Sequence, residues 1–166
     1  MVMIIPSVTL RKKKIVEAEA LEKYESGPLW VVDEDYKSGR ELNFKRYDDL
    51  SGIYELYLDA EISRVDDIED AITGGASMVT ISESIDNEKM RRALFYTESL
   101  ILYVRSNREA AEFFISNGGS RIYSDTFIFD NNVTEFTSRL NCSSCNIVSP
   151  IGGSNGRRDT EAPALP

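Results

Sequence analysis

Short apolar runs recur along the chain at a nearly constant interval, and that interval constrains the fold more than any other feature. Seven are visible: Val2–Leu10, Leu29–Val32, Ile53–Leu58, Met78–Ile81, Leu100–Val104, Ile122–Tyr123 and Ile147–Val148. Each is rich in Val, Ile, Leu or Tyr and ends near a charge or a turn residue, as buried strands of a parallel sheet do. From the second onward the strands begin near residues 29, 53, 77, 100, 121 and 146, about 20–25 residues apart. Each period has room for one strand and one helix.

The stretches between the runs carry helical patterning. Val65, Ile68, Ala71 and Ile72 fall on one helical face. Ser63 is the expected N-cap, Asp66 and Asp67 suit the positive end of the helix dipole, and Gly74-Gly75 supplies the stop. Asn107–Gly119 repeats the design, as does Asp86–Glu98. Val16–Glu25 and Leu42–Leu50 show it in weaker form.

Alternating strands and helices predict an α/β fold with right-handed crossovers. A full eightfold barrel typically takes about 250 residues, or about 200 when compact. With 166 residues and seven visible strands, the expectation is an incomplete TIM-type (β/α) barrel of about seven units, the eighth missing. It forms one domain over residues 1–155. Residues 156–166, almost without apolar side chains, are expected to be a disordered polar tail.

Composition removes several function classes. The chain has no histidine, so imidazole triads, imidazole metal sites and imidazole acid–base chemistry are excluded. Nineteen Lys and Arg stand against 28 Asp and Glu, a net charge of −9, which repels phosphate backbones and points away from nucleic acid. No run approaches the roughly 18 apolar residues of a membrane span, so no membrane partner is expected and a cytoplasmic location is. Cys142 and Cys145 are two thiols in C-x-x-C spacing, read here as loop cysteines. A structural zinc site would need four ligands. The basic run Arg11–Lys14 reads as a solvated turn.

Six segments, in order, resemble the HisA/HisF family of histidine biosynthesis. Ile4-Ile-Pro-Ser-Val-Thr-Leu10 with Lys14-Ile-Val16 is similar to the family's opening "IIPAIDL…GKVV". Leu29-Trp-Val-Val-Asp-Glu-Asp35, with Gly39 and Asn43, is similar to "LHVVDLD…G…N". Ile62–Glu69 resembles "GIRSLEDIE", Gly75–Ile81 "GADRVIIGT", Gly119–Asp125 "GAERIIYTD", and Ile147–Gly153 "VIASGG". Asp59-Ala-Glu-Ile62 and Thr80–Ser84 also resemble the "DAGI" and "GTET" motifs of a related archaeal group. The resemblance implies a (β/α)8 barrel of the phosphoribosylformimino-aminoimidazole-carboxamide ribotide isomerase type, acting on phosphoribosyl intermediates without a cofactor.

The departures bear on chemistry. Thr9 and Arg105 stand where the family has its two catalytic aspartates, and neither exchanges a proton near neutral pH. Ala60-Glu61 replaces phosphate-cradling glycines, and Ser82-Glu83 replaces a Gly-Thr. The family's chemistry is therefore expected to be degraded. Asp33 and Asp125 are the remaining acid–base candidates, and Gly152, Gly153 and Arg105 are the candidates for holding a phosphate of a phosphoribosyl-type ligand.

Strand-end residues Asp33, Asp59, Glu83, Arg105 and Asp125 form either an acidic pocket for a cation or an ion-pair network around Arg105. The alternative function is a non-catalytic scaffold. An open barrel would expose the edges of its first and last strands, and a homo-oligomer would cover them.

Overall fold

The computed structural model describes residues 2–129 and 132–152. The chain begins with β1 (Ile4–Arg11), which turns back into the short β2 (Lys14–Ile15) and α1 (Ala18–Leu21). Next come β3 (Gly27–Asp33), α2 (Glu34–Lys37), α3 (Phe44–Ser51), β4 (Tyr54–Ile62) and α4 (Val65–Thr73). Then follow β5 (Met78–Ser82), α5 (Asn87–Tyr96), β6 (Leu100–Val104), α6 (Arg108–Ser116), β7 (Arg121–Ser124), β8 (Thr134–Thr137) and β9 (Asn146–Pro150).

All strands except β2 are parallel and pair in chain order from β1 to β9. β9 then pairs back onto β1, with Ile4 opposite Ile147 and Ser7 opposite Pro150. The result is a closed eight-stranded barrel, which corrects the expectation of an incomplete barrel of seven units. The missed strand is β8, Thr134-Glu-Phe-Thr137. Its single large apolar residue, Phe136, makes no visible run. The spacing also misleads, because no helix is described between β7 and β8 or between β8 and β9. One interval of the usual length thus holds two strands joined by loops. Parallel neighbours usually need a dozen or more connecting residues, whereas β8 returns to β9 through residues 138–145 alone. Within that return Cys142 and Cys145 form a disulfide, Cα to Cα 5.6 Å, so the two loop cysteines are not free thiols.

Closure also removes the premise of the scaffold reading, since β1 and β9 cover each other's edges. Gly153 and the tail at 156–166 lie outside the described residues. Among the described residues, no helix is long and apolar enough to cross a membrane.

Side chains sort into two layers by the strand period of two. Val8, Leu10, Leu29, Val31, Leu56, Leu58, Val79 and Ile81 face outward, against Ile68, Met90, Ala111 and Phe114 from the helices. Ile5, Trp30, Tyr57, Ile101, Tyr123, Phe136 and Val148 fill the lumen. Trp30 is at its centre, with ring centroids 5.3 Å from Tyr123, 5.7 Å from Phe136 and 6.3 Å from Tyr57. The barrel is thus a packed core with function available only at its ends.

Asp86 and Asn107 cap α5 and α6, accepting from Lys89 N and Ala110 N. The N-cap position of α4 is Arg64, which makes no side-chain cap, so Ser63 does not serve there. At the α4–β5 turn Gly75 has φ +121, and a Cβ there would lie 2.5 Å from Ser51 Oγ. Only glycine meets both demands. The basic run is a hairpin turn: Lys12 and Lys13 have positive φ, and both amides donate to Asp35 at 2.8 Å.

Candidate functional site

The C-terminal end of β4 departs from a regular strand. Its register against β5 shifts between Leu58 and Ile62, and Glu61 adopts φ +49. A non-glycine residue in the left-handed region costs about 1–2 kcal/mol. Thr80 on β5 pins the irregularity. Its hydroxyl accepts from the amides of Ala60 (3.1 Å) and Glu61 (2.9 Å) and donates to Asp59 Oδ1 (2.9 Å).

Asp59 is only 3% exposed. Trp30 Nε1 donates to its Oδ2 at 3.1 Å, and Lys37 Nζ lies 3.1 Å from its Oδ1. The same ammonium lies 3.0 Å from Glu61 Oε2. Glu61 in turn takes both arms of the Arg105 guanidinium, the second at 2.7 Å. Lys37 and Arg105 both lie against one aromatic ring, at 5.3 and 4.2 Å from the Tyr103 centroid. The barrel mouth therefore holds two carboxylates and two cations over an aromatic floor.

The environment moves these groups in different directions. Burial pushes the Asp59 carboxyl up, and Lys37 and Thr80 offset only part of that. Burial also opposes charge on Lys37, but Asp59 and Glu61 together outweigh it and hold the ammonium up. For Glu61, burial is outweighed by the Arg105 hydrogen bond and by Lys37, so its carboxyl lies low. A buried ion pair adds little net stability. Strained backbone and buried charge together are features that functional sites retain.

Asp125, just past β7, lies on the lumen side with Tyr123, whose hydroxyl donates to it at 3.3 Å. Thr137 Oγ1, Ser138 N and Ser138 Oγ also donate to it, at 2.7–2.8 Å. Burial is again outweighed, and these donors hold the carboxylate low. Asp59 and Asp125 thus flank one aromatic pair, Asp59 at the Trp30 indole and Asp125 at the Tyr123 hydroxyl.

Asp33 is placed elsewhere. It follows Leu29 and Val31 on the outward face, is fully buried, and caps α2. It accepts from the Tyr47 hydroxyl, from Asn43 Nδ2 (2.9 Å) and from Tyr36 N (3.1 Å). Asp33 and Asp125 are therefore not brought together. Glu83 ties the turn before α6, accepting from the amides of Arg105, Ser106 and Asn107. Thr9 is occupied by Glu17, which takes its amide at 2.7 Å and its hydroxyl at 3.2 Å. Gly152 follows β9 with φ +67, beside Ala20 of α1. Among the described residues Arg105 pairs with none of the four strand-end carboxylates named from the sequence. It pairs with Glu61, and Asp59 pairs with a second cation, Lys37. Among the described residues, no group of three His, Cys, Asp or Glu is arranged to hold a metal ion.

Beside the network opens a cavity of about 520 Å3. Tyr36, Lys37, Arg40, Glu61, Arg64 and Ser82 are among the residues that line it. Lys37, Trp30 and Thr80 are the site residues that sequence reasoning passed over. The signal for Lys37 was slight: one lysine five residues past the second apolar run, following an acidic segment.

No family model and no curated protein matches the chain. Solved structures match its fold. One, described as the native KDPGal structure, superposes with a TM-score of 0.54 at 10% identity, covering 81% of this chain and 70% of the other. A provisionally assigned lyase/mutase from Burkholderia cenocepacia J2315 gives the same score and identity over 91% of this chain and 76% of its own. At that identity the likeness shows the barrel fold alone.

Proposed function

We propose that the barrel mouth is an active site for proton transfer on a small sugar phosphate, with Asp59 as acid and Asp125 as base. The observation that carries this reading is that Asp59 accepts from the Trp30 indole and Asp125 from the hydroxyl of Tyr123, whose ring lies 5.3 Å from that of Trp30. Two carboxyls whose surroundings drive them apart are the usual basis of an acid–base assignment. Asp59, whose carboxyl burial pushes up, is the proton donor to a carbonyl or ring oxygen. Ionised Asp125 takes one from the neighbouring carbon, and the reverse transfers complete an isomerisation.

The HisA/HisF resemblance supports a phosphoribosyl-type ligand. Thr9 and Arg105 tell against that family's own proton relay, because both are engaged and neither titrates usefully. Gly152 remains a candidate for the phosphate, with Gly153 beyond the described residues. This reading places the protein in the cytoplasm with metabolites of that class and needs no second copy of the chain.

The test is turnover of the aminoaldose form of the histidine-pathway bisphosphate to its aminoketose, with ribose 5-phosphate binding followed by Trp30 fluorescence. Asp59→Asn and Asp125→Asn should each lower turnover by about a hundredfold or more while binding persists. Absence of turnover by the wild-type protein, or variants as active as wild type, would overturn the reading.

A further inference from the structure

We infer that Lys37 and Arg105 form an oxyanion site in which the protein's own Glu61 carboxylate is a displaceable occupant. The inference rests on the barrel mouth as a ligand site, but not on the proton transfer proposed above.

Glu61 makes the contacts that a bound carboxylate or phosphate would make. It receives both arms of one guanidinium, the geometry by which arginine grips planar oxyanions, together with an ammonium at 3.0 Å. It does so from a left-handed backbone, φ +49, that Thr80 holds in place. Each cation has a second support besides Glu61. The Tyr103 ring supports both, and Asp59 holds Lys37 separately at 3.1 Å. Withdrawal of the carboxylate would leave two cations against one buried carboxylate, beside a cavity of about 520 Å3 that Lys37 and Glu61 already line. The Arg105 side chain is 55% exposed and accessible from solvent. The ligand class is a small molecule carrying a carboxylate or phosphate group, and Glu61 tunes its affinity by competing for the same donors.

The experiment is calorimetric titration of the intact protein with inorganic phosphate and, separately, with acetate, at matched ionic strength in chloride. A like charge pressed against a ligand costs several kcal/mol, so Glu61→Ala should bind at least one of the two anions about tenfold tighter than wild type. Phosphate alone, acetate alone or both would identify which oxyanion the site takes. Adding Arg105→Ala to Glu61→Ala should abolish the gain. Glu88→Gln, the same charge change at a side chain 77% exposed on α5, should show none. If Glu61→Ala does not fold, Glu61→Gly suits the backbone at φ +49 and carries the same expectation. The inference is overturned if neither Glu61 variant tightens binding, if the gain survives loss of Arg105, or if Glu88→Gln matches it. Loss of turnover in Asp59→Asn leaves these titrations unaffected, so the two readings fail separately.

Discussion

The Thr80 hydroxyl donates to Asp59 Oδ1 at 2.9 Å while accepting from the two amides that follow Asp59. One hydroxyl has one proton and two lone pairs, so its whole capacity is spent on fixing the β4 bulge. Thr80→Val keeps the shape and leaves buried polar groups without partners, at about 1–3 kcal/mol each. Urea unfolding should show a loss of that order, and Thr80→Ser should recover most of it. Equal stability of the Val and Ser variants would show that the bulge does not depend on this hydroxyl.

Asp33 is expected to act in stability alone. Burial, and then the Asp33 charge, push the Tyr47 hydroxyl up, so it stays a donor to that carboxylate. Hydrogen bonds to charged groups contribute about 1.5–3 kcal/mol. Tyr47→Phe should therefore lower unfolding free energy by about that amount and leave oxyanion titrations unchanged. A changed anion affinity would place Asp33 in the functional site after all.

How much of this was legible depended on whether a property is local. The strands β1, β3 to β7 and β9 and the helices α3 to α6 were visible because each satisfies its own periodicity, and Asp86 and Asn107 cap where a polar residue precedes an apolar face. β8 was hidden because its stability comes from neighbours: Phe136 packs on Trp30 and Tyr57, while Thr134 and Glu135 contribute only pairing. The site was half legible. Asp59, Arg105 and Asp125 stand at strand ends, where barrel chemistry belongs. The face of Asp33 was misjudged because one residue of register sends a side chain to the helix layer instead of the lumen. Lys37 could not be found from spacing, since its partners, Asp59 and Glu61, come from another strand.

The Cys142–Cys145 bridge spans a sequence separation of 3. Loop-closure entropy for so short a ring gives about 2 kcal/mol. Paired Cys142→Ser and Cys145→Ser substitutions should lower unfolding free energy by about that much without melting the barrel, because β8 and β9 keep their neighbours on either side. Unfolding with and without a dithiol reductant checks it. A global loss of structure on reduction would show that the bridge is required for closure.

Asp59 and Glu61 share one ammonium yet should give opposite pH dependence. Glu61 lies below its ordinary 4.5 in the folded protein, so its ionised form stabilises the fold above that value. This contribution is lost as pH falls through the lower folded value. Asp59 lies above its ordinary 3.8, so it favours folding when protonated. Its contribution is complete below 3.8 and is lost as pH rises through the higher folded value. Urea unfolding across about pH 3 to 7 separates the two. The advantage of wild type over Glu61→Gln should shrink as the solution is acidified. The standing of wild type against Asp59→Asn should instead worsen as pH rises, because the buried carboxylate then has to carry its charge. Parallel slopes in the two comparisons would mean that Lys37 neutralises both carboxylates equally, and that Asp59 holds no proton to give.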